Sequence, residues 1–276
     1  MKDKSNFIRT VIADLKLGLK VPFILAILGV TLGYVFDNWM DLQISINNPL
    51  INNDESPICV LYYVYNSFSF GGVFTAYFSI IMAAIPFAAN YCSEQDGGLS
   101  IYKISRCGCR AYVRSKFLVT SALGGMTVFL GCLLFMVILG TYLPIITLEK
   151  LHESQGIPFY HALTVGNGAL YLVIILYISF LGGALWGSVG LWISGYFTSS
   201  YVAVCAPFLV RFVFVQVARI LQLPDELRLD RMLSARVTIL SDFVTLILTT
   251  AIVIVLILLC CHLFSKQVER NIWNVE

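Results

Sequence analysis

Cys107 and Cys109, separated by one glycine, are the nearest approach to a metal-ligating pair in this sequence of 276 residues. Closely spaced thiolates suit zinc or redox chemistry. A structural zinc site needs four ligands, however, and no second Cys or His pair stands at a matching spacing. The two are therefore read as a reduced, incidental pair. Of the eight cysteines only Cys59 falls in a segment expected outside the cell, so no disulfide framework is implied. His152, His161 and His262 form no HExxH-like pattern. No GxxxxGKS/T loop occurs, so the chain has no phosphate-binding loop for ATP, and no paired Asp or Glu/His set lies inside an apolar run. The expectation is a chain that is not an enzyme, with no catalytic residue, no metal, no cofactor and no nucleic-acid partner.

Three polar residues stand where apolar ones would be cheaper. Arg211 and Arg219 interrupt the apolar run 201–221, and Asp242 opens the last one. A charge at the centre of a bilayer costs roughly 2.5–3.5 kcal/mol on insertion scales. Arg211 would lie about 15 Å along a helix starting near Tyr201, at 1.5 Å per residue. It is expected to face a partner, a wet cavity or a re-entrant hairpin. Arg219 is expected level with Asp242, where the two could pair. Ser179, Gly183, Gly187, Gly190 and Ser194 recur at three- and four-residue spacing, which places small side chains on one helical face for close packing.

These residues must be held by membrane-length helices. Phe243–Ser265 runs without an Asp, Glu, Lys or Arg, and about 20 apolar helical residues cross a hydrocarbon core of about 30 Å. Apolar residues make up 58% of the chain and charged ones 12%, and mean hydropathy is +0.83, which leaves no room for a sizeable soluble domain. The predicted fold is all-α, a polytopic membrane protein forming a single transmembrane domain over 1–276. Its spans are expected at about 21–36, 68–91, 117–143, 169–193, 201–221 and 242–264. Before them, Phe7, Val11 and Leu15 recur every four residues among lysines, as in an amphipathic helix lying on a membrane surface.

Charge sets the expected orientation. Twelve of the 18 Lys and Arg fall in residues 1–20, residues 92–116 and the tail, and four fall in the segments between the opposite span ends. The positive-inside rule then places both termini and residues 92–116 in the cytoplasm of a multi-pass cell-membrane protein. Residues 37–67, 144–168 and 222–241 are expected outside.

Residues 92–116 hold the most distinctive pattern. Glu94 precedes the pair Gly97-Gly98, then Leu99, Tyr102 and Ile104 offer apolar anchors among basic residues, followed by Ser105-Arg106 and Lys116. Gly97 and Gly98 would set the turn into a short amphipathic helix. An acidic residue leaving a span, a Gly four residues later, an apolar stretch, a Ser-Arg pair and a Lys opening the next span resembles the pattern of type-2 ABC transporter permeases. The whole layout is similar too: a basic surface helix, six spans, a long second-to-third cytoplasmic loop and a charged outer segment before the last span.

That resemblance implies the membrane permease subunit of an exporter. ATP hydrolysis would occur on separate ABC ATPase subunits, and a second copy or a related permease would complete a dimer. Glu94, Gly97, Gly98, Leu99, Ile104, Ser105, Arg106 and Lys116 would form the cytoplasmic coupling helix and its surroundings. The cargo would be small and amphipathic: a peptide, a lipid-like molecule or a drug. Two alternatives stand beside it: a non-catalytic membrane assembly or sensor subunit, and a secondary transporter.

Overall fold

The computed structural model describes residues 2–47, 59–69, 72–145, 158–165, 168–239 and 241–273, and every regular element among them is helical. Expectations placed on 48–58 and 146–157, including Lys150 and His152, lie outside the described residues. In chain order the helices are α1 (Lys2–Gly18), α2 (Val21–Asp37), α3 (Trp39–Asn47), α4 (Val60–Ser69), a π-helical turn at Phe74–Phe78, α5 (Ser79–Ala84), α6 (Asn90–Asp96) and α7 (Leu99–Cys107). There follow α8 (Cys109–Gly140), α9 (Tyr160–Val165), α10 (Ala169–Ser194), α11 (Ser200–Ile220), a 3-10 turn at Asp225–Leu227, α12 (Leu229–Met232) and α13 (Asp242–Trp273).

Among the described residues α8, α10, α11 and α13 are each long and apolar enough to cross a membrane. A fifth candidate is α1 with α2, a pair bent by 59° at Gly18–Lys20. The surface of this bundle suits lipid. Leu25, Leu28 and Leu32 on α2, Leu209 and Val213 on α11, and Ile254, Leu258 and Leu259 on α13 are all exposed. Continuous apolar faces of that extent are not left in water by a soluble domain, whereas hydrocarbon solvates them without penalty.

The sequence expectation needs correcting at the second span. Residues 68–91 do not form one helix: α4 ends at Ser69, a π-helical turn follows, and the chain turns again at 85–89 between α5 and α6. Pro86 supplies a physical reason for the second break, because it lacks an N–H and its ring crowds the preceding turn. At the first break the Asp37 carboxylate accepts hydrogen bonds from the backbone N–H groups of Phe74 (3.0 Å) and Thr75 (2.6 Å). A carboxylate from α2 thus caps the restarted helix, where orphan N–H groups need acceptors. The third span also starts earlier than expected, at Cys109 instead of near Phe117.

Helix α10 occupies the centre. Its Gly183 meets α8 so closely that an added Cβ would collide with the Gly124 carbonyl oxygen. Gly187 faces the backbone oxygens of Ala83 and Thr120, and Gly190 that of Ala203. Ser179 and Ser194 satisfy their hydroxyls on Ile175 and Leu191 of their own helix. The small-residue face is therefore turned to α5, α8 and α11 of the same chain. One end of the bundle gathers α1, α6, α7, the start of α8 and the end of α13: Asp14 reaches Lys116, and Asn271 donates to the Gly195 carbonyl at 3.1 Å. The other end gathers α3, α4, α9 and α12, tied by Val60 N–H to Pro144 O at 3.1 Å and by Ala162 N–H to Asp242 Oδ2 at 2.8 Å.

Candidate functional site

At the first of these ends, two carboxylates and two ammonium groups form a closed set. The Lys116 Nζ lies 2.5 Å from Glu94 Oε1 and 3.1 Å from Asp14 Oδ1. Lys103 Nζ donates to the same Glu94 oxygen at 2.8 Å. The Tyr112 hydroxyl donates to Glu94 Oε2 at 2.7 Å, and the Ser115 hydroxyl to Asp14 Oδ2 at 2.8 Å. The ammonium of Lys116 also lies 4.7 Å from the centre of the Phe87 ring, within cation–π range. Lys116 is 0% and Glu94 6% exposed. Such charges stay ionised inside a protein only when paired and hydrogen-bonded. Burial pushes the Glu94 carboxyl up, but the Lys116 charge and the hydrogen bonds from Lys103, Lys116 and Tyr112 outweigh it and hold it below the ordinary carboxylate value.

The set fixes one short helix. Glu94 sits on α6, Lys103 on α7, Tyr112, Ser115 and Lys116 on α8, and Asp14 on α1, so four elements meet at one knot. The chain enters α7 through Gly98 at φ 66° and leaves it through Gly108 at φ 83°, left-handed conformations that glycine adopts without strain. Between them Leu99, Ile101 and Tyr102 point outward, Leu99 53% and Tyr102 58% exposed, and Arg106 lies over the Tyr102 ring at 5.2 Å. Ser105 and Arg106 are exposed beside them. Ile104 is half-buried and packs inward against the interior cluster around Tyr112 and Phe117.

The residues singled out from the sequence thus divide. Glu94 and Lys116 come together inside the protein, where they offer no surface to a partner and hold α7 in place. Gly97 and Gly98 form the turn before α7, and Leu99, Ser105 and Arg106 lie on its accessible face. Asp14 and Tyr112 were missed. The available signal was Asp14 itself, an acid beside Leu15 on the apolar stripe of a basic helix. The Cys107 thiol donates to the Lys103 carbonyl at 3.0 Å and burial pushes its pKa up, which disfavours the thiolate. Among the described residues no cluster of His, Cys, Asp and Glu could hold a metal ion.

A second polar region lies between α4, α5, α10, α11 and α12. Arg211 donates to the Ala76 carbonyl in the π-helical turn and lies 5.4 Å from the centre of the Tyr77 ring. It lines a partly open cavity of about 70 Å³ together with Asp230 and Arg236. Arg219 is exposed and makes no ion pair with Asp242, whose carboxylate instead caps the backbone of α9 at Ala162.

Comparison with family models, curated proteins and solved structures returns no match for this chain.

Proposed function

We propose that this chain is the membrane-spanning permease subunit of an ATP-driven exporter, in the manner of the type-2 ABC permeases its 92–116 segment resembles. The observation that carries this reading is the mounting of α7. A mutually neutralising set of four charges, three of them buried and the half-buried Lys103 carried by α7 itself, is spent on holding one nine-residue helix whose outer face is left apolar and aromatic. A loop that only enforced topology would need basic residues, not a rigid platform. Leu99, Ile101 and Tyr102 supply the kind of apolar and aromatic anchors that dominate protein contacts, and Arg106 the kind of charge found beside them.

In this reading α7 docks on a separate ATPase at the cytoplasmic end, and the buried knot transmits the movement of that ATPase to α1, α6 and α8 together. The broken segment over about 68–91 completes six passages, α1 lies on the cytoplasmic membrane surface, and both termini are cytoplasmic in a cell-membrane dimer of permeases. The crowding of Lys and Arg at the α7 end supports that orientation. Cargo would be small and amphipathic, and its movement would need two packings of the bundle of differing stability, not a reacting residue.

The test is purification in mild detergent from the native host. The expected result is a stoichiometric nucleotide-binding subunit whose ATP hydrolysis rises with cargo. A bound cytoplasmic partner without ATPase activity would favour the assembly or sensor reading, and cargo movement driven by an ion gradient without any partner would favour a secondary transporter.

A further inference from the structure

Arg211 and Arg236 both line the cavity between α5, α10, α11 and the segment after α12. Each guanidinium carries five N–H donors and no acceptor. Among the described residues Arg211 has one hydrogen-bond acceptor, the Ala76 carbonyl, and Arg236 has one, the Phe68 carbonyl at 2.8 Å. Among the described residues neither is in an ion pair. The carboxylate that shares the cavity, Asp230, is taken by Arg228, whose Nε and Nη2 lie 3.3 and 2.9 Å from its two oxygens. The Thr75 hydroxyl, also on the cavity wall, is buried with no partner among the described residues. Burial and the neighbouring Arg231 charge push the Arg236 pKa down, and the attraction of Asp230 only partly offsets them.

An apolar bundle gains nothing from two such cations side by side. Like charges repel, each is partly desolvated, and leucine would cost less at either position. Both side chains line the same open space. The cavity, about 70 Å³, is several times the roughly 10–15 Å³ needed for one water, and is of a size for a single phosphate or carboxylate group. Gly182, where an added Cβ would meet nothing within 4 Å, keeps the α10 wall of that space open.

We propose that this cavity is a binding site for an oxyanion, a phosphate or carboxylate group held by Arg211, Arg236 and the Thr75 hydroxyl. Forked guanidinium donors match the oxygens of such a group in pairs. The anion would belong either to a lipid headgroup or to a free solute. Its binding would bridge the π-helical turn, α11 and the segment after α12, tying the broken second passage to its neighbours. The site does not depend on an ATPase docking at α7.

The experiment uses the whole chain in neutral detergent, with melting temperature read at constant ionic strength. One arm titrates inorganic phosphate against chloride; the other adds phosphatidylglycerol or phosphatidylcholine to the micelles. Saturable stabilisation by phosphate identifies a free-anion site. Saturable stabilisation by phosphatidylglycerol alone identifies a headgroup site. Arg236→Gln and Thr75→Val should each weaken the apparent affinity, the former at least tenfold, while Arg219→Gln, at an exposed arginine outside the cavity, should leave it unchanged. Arg211→Gln is avoided because Arg211 also holds the Ala76 carbonyl. No saturable shift with either additive, or the same shift in Arg236→Gln as in the unaltered chain, overturns the proposal.

Discussion

Lys116 and Glu94 meet at 2.5 Å inside the protein, one in the early turns of the long apolar helix α8 and the other in α6, just before α7. They stand 22 residues apart with the whole of α7 between them. The contact closes the 95–115 stretch into a loop whose ends are locked together, so the position of α7 is set by the bundle and not by its own short helix.

Removing one member of this set should cost more than its contacts suggest. Lys116→Met leaves Glu94 and Asp14 buried with only Lys103 as counter-charge, and breaking a buried pair this way costs about 3–5 kcal/mol. We expect a large drop in melting temperature in detergent. Lys116→Met combined with Glu94→Gln should be less damaging than the two single losses added together, because neither change then strands the other's charge. Strict additivity in that double-mutant cycle would mean that the two residues do not act as a pair.

The same set gives a pH dependence with a definite sign. The Glu94 carboxyl sits below its ordinary value in the folded protein. It therefore contributes stability that is present above the unfolded pKa of about 4.3, and is lost as pH falls through the lower folded value. Melting temperature measured from pH 7 downward should decline below about pH 4, and Glu94→Gln should remove part of that decline. A profile unchanged by Glu94→Gln would show that other carboxylates carry it.

Neighbouring glycines of α10 should respond in opposite directions. Gly183→Ala drives a methyl into the Gly124 carbonyl oxygen, and overpacking of this kind typically costs 1–3 kcal/mol. Gly182→Ala meets nothing within 4 Å and should be neutral or stabilising by up to about 1 kcal/mol from helix propensity. Melting curves of the two variants decide it, and equal losses would contradict this packing.

The regular parts of this fold were legible in the chain. The expected limits of 169–193, 201–221 and the start of the last span at 242 agree with α10, α11 and α13, because long apolar runs between polar turns translate directly into helix ends. The second span was not legible. Apolar composition over 68–91 says that the segment can sit in lipid, not that its backbone is continuous, and the Asp37 cap that stabilises the restart comes from 37 residues away in sequence. The early start of α8 escaped for a related reason: its first turns are charged, and their burial depends on Asp14, 102 residues from Lys116. Glu94 and Lys116 were visible as residues of interest, but pairing across 22 residues leaves no local spacing to read. Arg211 was recognisable by the cost of its charge, whereas Asp230 and Arg236 in an ordinary charged segment were not.

On the proposed reading α7 is a docking platform held from within, and its two sides separate cleanly by substitution. Leu99→Asp with Tyr102→Asp changes only side chains on the accessible face, while Ile104→Asp strikes the half-buried side that packs toward Tyr112 and Phe117. The measurement is ATPase subunit retained per permease after gentle purification, alongside the permease's melting temperature. Leu99→Asp/Tyr102→Asp should lower retention at least tenfold with little change in melting temperature, and Ile104→Asp should lower the melting temperature. Full retention of an active ATPase by the Leu99→Asp/Tyr102→Asp variant would contradict that reading.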